Sequence, residues 1–343
     1  MQSAEHWLLA LADPESSQMA PSGRRLDRRG MASLCLLAEW HGVLPRVASQ
    51  IERLLAENPG QLLEDARAVS NILTELDAVR RRVAERSAMA MFLGAETRKM
   101  LNELGGQGAQ AIVLKGMDFA ARLYPQPALR PFMDIDLLTR ENDWECVDEV
   151  MTRLKYAPRE TKLKYATGYA ERSWENPAMP GAMVEVHDNL VNSPTIRRGV
   201  SVRLEDLPLG RGTDGFLQPT PAGLLVIAAV HGAASHSFDK LQHLCDIAQI
   251  ARGRAGKINE SELRESAAST GANFCVAAGL DLAARTFNDP ACAELLARLD
   301  YRWPRRFTRL LLTPALVVQS QGPRRRAGSW RRQLLRQMLK SRR

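Results

Sequence analysis

The chain has no long apolar run, no closely paired cysteines and no leader-like start. Its longest apolar runs, at residues 224–230 and 310–318, are well short of the ~20 residues that a helix needs to cross a bilayer. The first residues lack the basic flank and apolar stretch of a secretory signal. The five cysteines are scattered and odd in number, which argues against a disulfide framework and against zinc knuckles. The sequence therefore predicts a cytoplasmic protein.

Basic residues are not spread over the chain, although its formal net charge is +8. Residues 323–343 contain nine of the 47 Lys and Arg residues and no acid, which leaves 38 basic and 39 acidic residues elsewhere. Attraction to nucleic acid or to an anionic surface is therefore expected at this tail and not across the fold. The tail is interpreted as a basic amphipathic helix that could contact an anionic membrane or a protein partner, or simply be a solvated end. The apolar residues on one side of that helix are Trp330, Leu334, Leu335, Met338 and Leu339.

The spacing of apolar residues divides the chain into four parts. A helical N-terminal region is predicted over 1–104, an α/β core over 105–210, a helical C-terminal domain over 211–322 and the basic tail over 323–343. The first region is expected to contain helices at 4–11, 31–40, 44–56 and 62–104. In the third, Thr220 caps a helix that begins with Pro221, and further helices extend to residue 318 with breaks at Gly253, Gly271 and Pro290. The sequence thus predicts an α+β protein.

The central part alternates short strands with helices. Strands are predicted at 111–114, 133–138, 162–169 and 182–187. Lys115-Gly116 follows the first strand and opens a helix that ends near Tyr124. A second helix is expected over 141–154, because acidic residues favour the positive N-terminal end of a helix.

A pair of aspartates, Asp134 and Asp136, flanks Ile135 in a strand that is otherwise apolar. Side chains alternate along a strand, so both carboxylates point to one face, ~7 Å apart. Two acids in an apolar segment repel each other and are poorly hydrated unless something positive lies between them. A divalent cation with oxygen ligands, most often Mg²⁺, is the usual solution. The Asp-x-Asp pattern also occurs on solvated strands, so it gains its value here from the apolar context.

A third carboxylate is needed for a two-metal site, and Glu185 is the candidate. It alternates with apolar residues in the strand predicted at 182–187. If this strand neighbours the first, ~5 Å away, Glu185 faces the same metals. The alternative is a rim carboxylate that pairs with an arginine. His187 shares the face of Glu185 and could orient a carboxylate, touch a nucleotide, or be a strand histidine with ordinary hydrogen bonds.

The turn at Lys115-Gly116 is a candidate phosphate site. Backbone N–H groups at the start of a helix, together with an ammonium group, bind anions, and glycine lets a phosphate approach the backbone closely. A Lys-Gly pair says little alone, but this one lies one helix before the aspartates. Arg130 could neutralise phosphate charge, or could pair with Asp134 or Asp118.

Other polar residues in the C-terminal part are interpreted as structural. His231, His236 and His243 are close in sequence but lack the i, i+4 spacing of a metal-binding helix. We therefore predict no metal site there. Asp246, on an apolar helix at 241–251, is interpreted as a structural partner and not as a catalyst.

Several of these motifs occur in an order that resembles a known family, the uncharacterised nucleotidyltransferases of bacteria, which belong to the DNA polymerase β-like nucleotidyltransferase superfamily. The similarity covers roughly residues 70–255. The superfamily usually has Gly-Ser at the phosphate turn, where this chain has Lys115-Gly116. The similar segments are Val-Leu-Lys-Gly at 113–116, Leu-Tyr at 123–124, Arg-Pro-Phe-Met-Asp-Ile-Asp-Leu-Leu at 130–138, Val-Glu-Val-His at 184–187 and Leu-Cys-Asp-Ile at 244–247.

The resemblance implies a small mixed sheet flanked by helical regions, and transfer of a nucleoside monophosphate from an NTP, with ATP expected. The acceptor would be a hydroxyl or phosphate on a small molecule, peptide or protein, and pyrophosphate would leave. Two alternatives stay open: a non-catalytic nucleotide- or metal-binding protein on the same fold, and an RNA-directed enzyme that uses the tail. The expected ligands of two Mg²⁺ ions, which are also the catalytic residues, are Asp134, Asp136 and Glu185. The expected nucleotide-binding residues are Lys115, Gly116, Arg130 and His187.

Overall fold

The protein is described by a computed structural model that covers residues 3–15, 25–63, 69–159, 168–179, 181–319 and 329–340. Helices precede and follow a central sheet, so the predicted α+β class is confirmed. The N-terminal helices are α1 (Ser3–Ala12), α2 (Arg28–Trp40), α3 (Leu44–Glu57), α4 (Pro59–Leu62) and the long α5 (Val69–Gly106). The side chain of Asp27 caps α2 by accepting a hydrogen bond from the Gly30 N–H, and α5 ends at the glycine pair expected to stop it.

The central part contains the elements that position the site. They are β1 (Ala111–Val113), α6 (Met117–Leu123), β2 (Asp134–Thr139), α7 (Trp144–Arg153), β3 (Ala157–Pro158), β4 (Glu171–Glu175) and β5 (Met183–His187). The strand predicted over 162–169 falls mainly outside the described residues. Strand β4 has no apolar alternation that would predict it, because Trp174 is its one apolar side chain.

The five strands form one mixed sheet in the order β1-β2-β5-β4-β3. Strands β2 and β5 run parallel, and the other neighbours in this sheet run antiparallel. Their register pairs Asp136 with Glu185 and Leu138 with His187. Paired residues in adjacent strands point to the same face, so acids from two strands that are distant in sequence meet on one side of the sheet.

The two faces of the sheet contact different apolar cores. Ile135, Leu137 and Val184 face the second half of α5 and the helix α7. On the acid-bearing face, Ile112 and Leu138 belong to the main core, which the N-terminal and C-terminal helices share. The sheet is therefore a layer between two sets of helices, and its polar residues are enclosed on the side of the C-terminal helices.

The C-terminal part begins with a hairpin, β6 (Leu209–Arg211) and β7 (Leu217–Pro219), that was not predicted. The helices that follow are α8 (Pro221–Val230), α9 (Leu241–Ala251), α10 (Glu260–Ser269), α11 (Asn273–Phe287), α12 (Pro290–Leu299), α13 (Arg305–Leu311), α14 (Pro314–Val318) and α15 (Ser329–Met338). Thr220 caps α8 and Pro221 begins it, as predicted. The three predicted breaks separate α9, α10, α11 and α12. A π-helical turn, His231–Ser235, follows α8 directly.

The tail helix α15 packs on the rest of the protein. Leu335 and Leu339 are buried, whereas Trp330 and Leu334 are exposed. Two residues of the predicted apolar side, Leu335 and Leu339, thus pack within the protein. Contact of Trp330 and Leu334 with a membrane or a partner stays a prediction. Among the described helices, none combines the length and the apolar character needed to cross a membrane.

A buried polar network links the three main parts of the chain. Arg130 donates to both carboxylate oxygens of Asp246, from Nε to Oδ1 at 2.9 Å and from Nη2 to Oδ2 at 2.8 Å. The Tyr124 hydroxyl donates to Asp246 Oδ1 at 2.7 Å, and Arg46 Nη1 donates to the Tyr124 oxygen at 3.1 Å. All four side chains are buried. Asp246 in α9 is therefore a structural partner, as the sequence suggested, and it joins α3 and the α6–β2 connection to the C-terminal helices.

We predict that Asp246→Ala lowers the free energy of unfolding by about 3–5 kcal/mol, because it leaves the buried Arg130 guanidinium without its counter-charge. Urea denaturation measures this change. Asp148→Ala is the control, because Asp148 pairs with Arg172 at 2.8 Å on the surface, where such pairs contribute about 0–1 kcal/mol. Equal losses in the two variants would contradict the assigned role.

Candidate active site

The acid-bearing face of the sheet brings three potential metal ligands together. One ligand atom from each of Asp136, Glu185 and His187 lies within 4.8 Å of the others. Asp136 is deeply buried, with 2 % of its side chain exposed. Asp134 lies two residues earlier on the same face, at the beginning of β2, and its side chain is 30 % exposed. The predicted neighbour relation of the two strands is confirmed.

Lys115 lies against both aspartates. Its Nζ is 3.1 Å from Asp136 Oδ2 and 3.9 Å from Asp134 Oδ2. The charges of Asp136 and Asp134 raise the pKa of Lys115, although burial alone would lower it. The Lys115 ammonium group thus lies between Asp134 and Asp136, where the sequence predicted a metal ion. The expected contact of Lys115 with a phosphate stays a prediction.

His187 is held in place from both sides of its ring. Nδ1 is 3.0 Å from Asn192 Oδ1, which can only accept a hydrogen bond, so Nδ1 carries a proton. Nε2 faces Asp136 Oδ1 at 3.6 Å. The side-chain amide of Asn192 in turn donates to Glu171 in β4. Of the contacts anticipated for His187, the structure contains two, one with a carboxylate and one ordinary hydrogen bond. Contact with a nucleotide stays a prediction.

The carboxylates of the site have opposite pKa shifts. Burial alone would raise the pKa of Asp136, but the Lys115 ammonium and the His187 ring lower it to about 2. Burial, followed by the charges of Asp136 and Glu171, raises the pKa of Glu185 to about 7. Burial also raises the pKa of Asp134. Without a bound cation, Asp136 is thus held ionised, whereas Glu185 and Asp134 resist ionisation.

The donor set fits a hard divalent cation. His187 Nε2 is buried and makes no hydrogen bond with the described residues, and the buried Asp136 Oδ2 is paired with the Lys115 ammonium at 3.1 Å. Carboxylate oxygens are the ligands that Mg²⁺ prefers. A cation here would also offset the repulsion that raises the pKa of Glu185. Asp136 and Glu185 are the ligands best placed to hold it, with Asp134 next to them.

The turn after β1 has the backbone that a glycine permits. Gly116 has φ +53°, which L-residues rarely adopt. Arg130 reaches this turn, because its Nη1 donates to the Gly116 carbonyl oxygen at 3.4 Å. Its other hydrogen bonds go to Asp246, and not to Asp134 or Asp118 as one interpretation of the sequence expected. Asp118 pairs instead with Arg122 at 3.2 Å. Arg130 is thus a buried residue that stabilises the turn at Gly116 through a hydrogen bond. We do not assign it a phosphate contact.

Two parts of this region were missed from the sequence. Glu171 and Asn192 join the site through β4 and the segment after β5, and no motif marks either residue. The second is a cluster of three histidines: His231, His236 and His243 come together, with one ligand atom of each within 4.8 Å of the others, a closeness that their spacing in the sequence did not predict. The i, i+4 spacing applies to an α-helix. The chain forms a π-turn here, in which a residue lies near the one five positions later, as His236 is from His231.

The model of the uncharacterised nucleotidyltransferase family matches residues 29–288. This is well over half of the chain, so the protein belongs to that family, as the sequence motifs predicted. The match extends beyond the motifs at both ends and includes α2, α3 and the first four C-terminal helices, α8 to α11. No curated protein matches the chain.

We predict that stability of the cation-free protein falls as pH rises through the titration of Glu185. Unfolded Glu185 loses its proton near its ordinary pKa of 4.5, whereas the folded protein keeps it until about pH 7. The folded state therefore binds more protons in this window, and stability declines with pH. Compared with Glu185→Gln, the wild type should lose up to ~3 kcal/mol between pH 4.5 and 8.

Urea denaturation in a chelating buffer at several pH values tests this prediction. Glu175→Gln is the matched control, because Glu175 lies exposed on β4, next to the strand of Glu185. It should retain the wild-type dependence on pH. A Glu185→Gln variant with the same dependence as wild type would show that Glu185 ionises normally.

Proposed function

We propose that this protein is a metal-dependent nucleotidyltransferase that moves a nucleoside monophosphate from an NTP, ATP in the first instance, to a hydroxyl or phosphate acceptor. One observation carries the proposal: in a member of this family, Asp136 pairs in register with Glu185 on a parallel strand, with His187 beside them. Carboxylates from separate strands that converge in this way are suited to hold a cation against a phosphate.

The reaction forms one bond and breaks one. The acceptor oxygen bonds to the α-phosphorus while the bond from that phosphorus to the pyrophosphate oxygen breaks. Pyrophosphate leaves with the electron pair, and the acceptor proton passes to solvent. Mg²⁺ bound by Asp134, Asp136 and Glu185 would lower the pKa of the acceptor hydroxyl and stabilise the charge on the leaving group.

The protein's own residues supply positioning and charge, which account for most of the catalysis in such reactions. His187 and its partner Asn192 fix the orientation of the Asp136 carboxylate. Gly116 has no side chain of its own, so its turn would present backbone to the phosphates beside the Phe132 ring. Because the site is largely buried, these interactions are stronger than they would be in water.

Lys115 has two roles in this scheme. In the cation-free protein its ammonium neutralises Asp134 and Asp136. When a cation takes over that task, the flexible four-carbon side chain is free to contact a phosphate from its place in the turn. The departure from the Gly-Ser pair of the superfamily thus adds a positive charge at this turn.

We predict that Asp136→Asn reduces nucleotidyl transfer at least ~100-fold, since even indirect support of a metal ligand contributes about 10–100-fold to activity. The measurement is pyrophosphate release from ATP and Mg²⁺ with pooled hydroxyl and phosphate acceptors, including small molecules and peptides. Asp148→Asn, on the exposed face of α7, is the matched control and should keep wild-type activity. Full activity in Asp136→Asn would refute the proposal, and so would Mg²⁺-ATP binding by wild type without turnover of any acceptor.

We predict that Lys115→Met weakens binding of a non-hydrolysable ATP analogue about 10–100-fold, the equivalent of one lost hydrogen bond to a charged group. Calorimetric titration in the presence of Mg²⁺ measures the affinity. Lys99→Met is the control, because Lys99 lies on the surface of α5 beside Glu96. If Lys115 serves only as a counterion to the acids, the variant will bind Mg²⁺ more tightly and the analogue as well as wild type does.

A further inference from the structure

Three histidines lie together at the junction of α8 and α9. His231 begins the π-turn, His236 follows it directly, and His243 lies in the first turn of α9. One ligand atom of each lies within 4.8 Å of the others. The proposed nucleotidyl transfer does not use these residues.

The rings are arranged as ligands of one metal ion would be. Their centres are 4.7 Å apart for His231 and His236, 5.3 Å for His231 and His243, and 4.6 Å for His236 and His243. With Zn–N distances of about 2.0–2.1 Å and tetrahedral angles, the ring centres of two histidine ligands lie roughly 5 Å apart. The ring planes are inclined by 40–88° to one another, so the rings converge and do not stack.

His243 offers a ring nitrogen to a metal, and His236 has a carboxylate beside its ring. His243 is buried, and its Nδ1 has no hydrogen-bond partner in the part of the chain that the structure describes. His236 Nδ1 lies 3.8 Å from Asp239 Oδ1, which turns Nε2 away from the carboxylate. A carboxylate behind a ligating histidine is a common feature of metal sites, because it orients the ring and makes it a better donor. Asp239 is also paired with Arg332 Nη1 at 3.2 Å, which connects this carboxylate to α15.

The backbone between these histidines is strained. Ser237 and Phe238 have φ of 52° and 55°, and the left-handed region disfavours L-residues by roughly 1–2 kcal/mol each. Phe238 is fully buried, and its ring lies where a side chain at Gly232 or Gly279 would be. This packing holds the turn that directs His236 and His243 toward each other.

We propose that His231, His236 and His243 bind a divalent transition-metal ion, Zn²⁺ being the best fit, as a second metal site separate from the carboxylates. Imidazole nitrogens suit zinc and its neighbours, whereas Mg²⁺ takes oxygen ligands. Three protein ligands leave one coordination position for water or a substrate oxygen. The ion can enter from the surface, because 29 % of the His236 side chain is exposed.

The site lies close to the proposed active centre. His243 is one helical turn before Asp246 on α9, so the two share a helix face, and the partner of Asp246, Arg130, also contacts the Gly116 turn. The experiment must therefore separate this site from the carboxylates. The chain allows this separation, because His187 is a histidine of the carboxylate site alone.

The test is titration of the untagged, chelator-treated full chain with Co²⁺, followed by displacement with Zn²⁺. We expect one equivalent of Co²⁺ to produce the intense visible absorption of a tetrahedral site, and Zn²⁺ to abolish it. His236→Gln and His243→Gln should each weaken binding at least ~100-fold, and Asp239→Asn about 10–100-fold. His187→Gln and Asp136→Asn should keep the visible absorption of the tetrahedral Co²⁺ site.

Several outcomes would overturn the proposal. One is wild-type protein that takes up no stoichiometric Co²⁺ or Zn²⁺ below about millimolar concentration. Another is a signal that persists in His236→Gln, or one that disappears in His187→Gln, which would place the ion at the carboxylates. Circular dichroism verifies that each variant is folded. His236→Gln is the decisive variant, because the His236 side chain is partly exposed and its replacement disturbs the core least.

Discussion

The parallel, in-register pairing of β2 with β5 is the constraint on which the rest of the site depends. It sets Asp136 beside Glu185 in a layer enclosed by helices on both sides. Buried carboxylates cannot rely on water, so each requires a positive or hydrogen-bonding partner. Lys115 and His187 supply these partners for Asp136, whereas Glu185 is left with a pKa of about 7. The different pKa shifts of these two adjacent acids are the basis of the proposed cation site.

The surrounding helices keep this arrangement in place. Asp246, Arg130 and Tyr124 form a buried network that attaches the C-terminal helices to the turn carrying Gly116. His243 also lies on α9. The proposed active centre and the histidine cluster are therefore both connected to this helix. Two sets of ligands with different chemistry, oxygen in one and nitrogen in the other, thus lie close together and favour different metal ions.

Sequence patterns were most informative where buried and polar residues alternate at the regular spacing of a strand or helix. Acids that alternate with apolar residues identified β2, β5 and the face shared by Asp136 and Glu185. Caps and glycines located the ends of α8 and α5. The patterns failed where a tertiary contact decides the outcome. Strand β4 is mostly polar, and it forms a strand through its pairing with β5. The partner of Arg130, Asp246, lies on a helix more than a hundred residues away.

The sequence by itself determined the α+β class, the family and the acidic residues of the candidate site, because local periodicity and ordered motifs need no knowledge of distant contacts. Only the tertiary structure decided that Lys115 lies between the aspartates, that Asn192 and Glu171 support His187, and that three histidines converge. A π-turn and two left-handed residues produce that last convergence. Such backbone departures are stabilised by packing from other helices, and no local pattern in the chain encodes them.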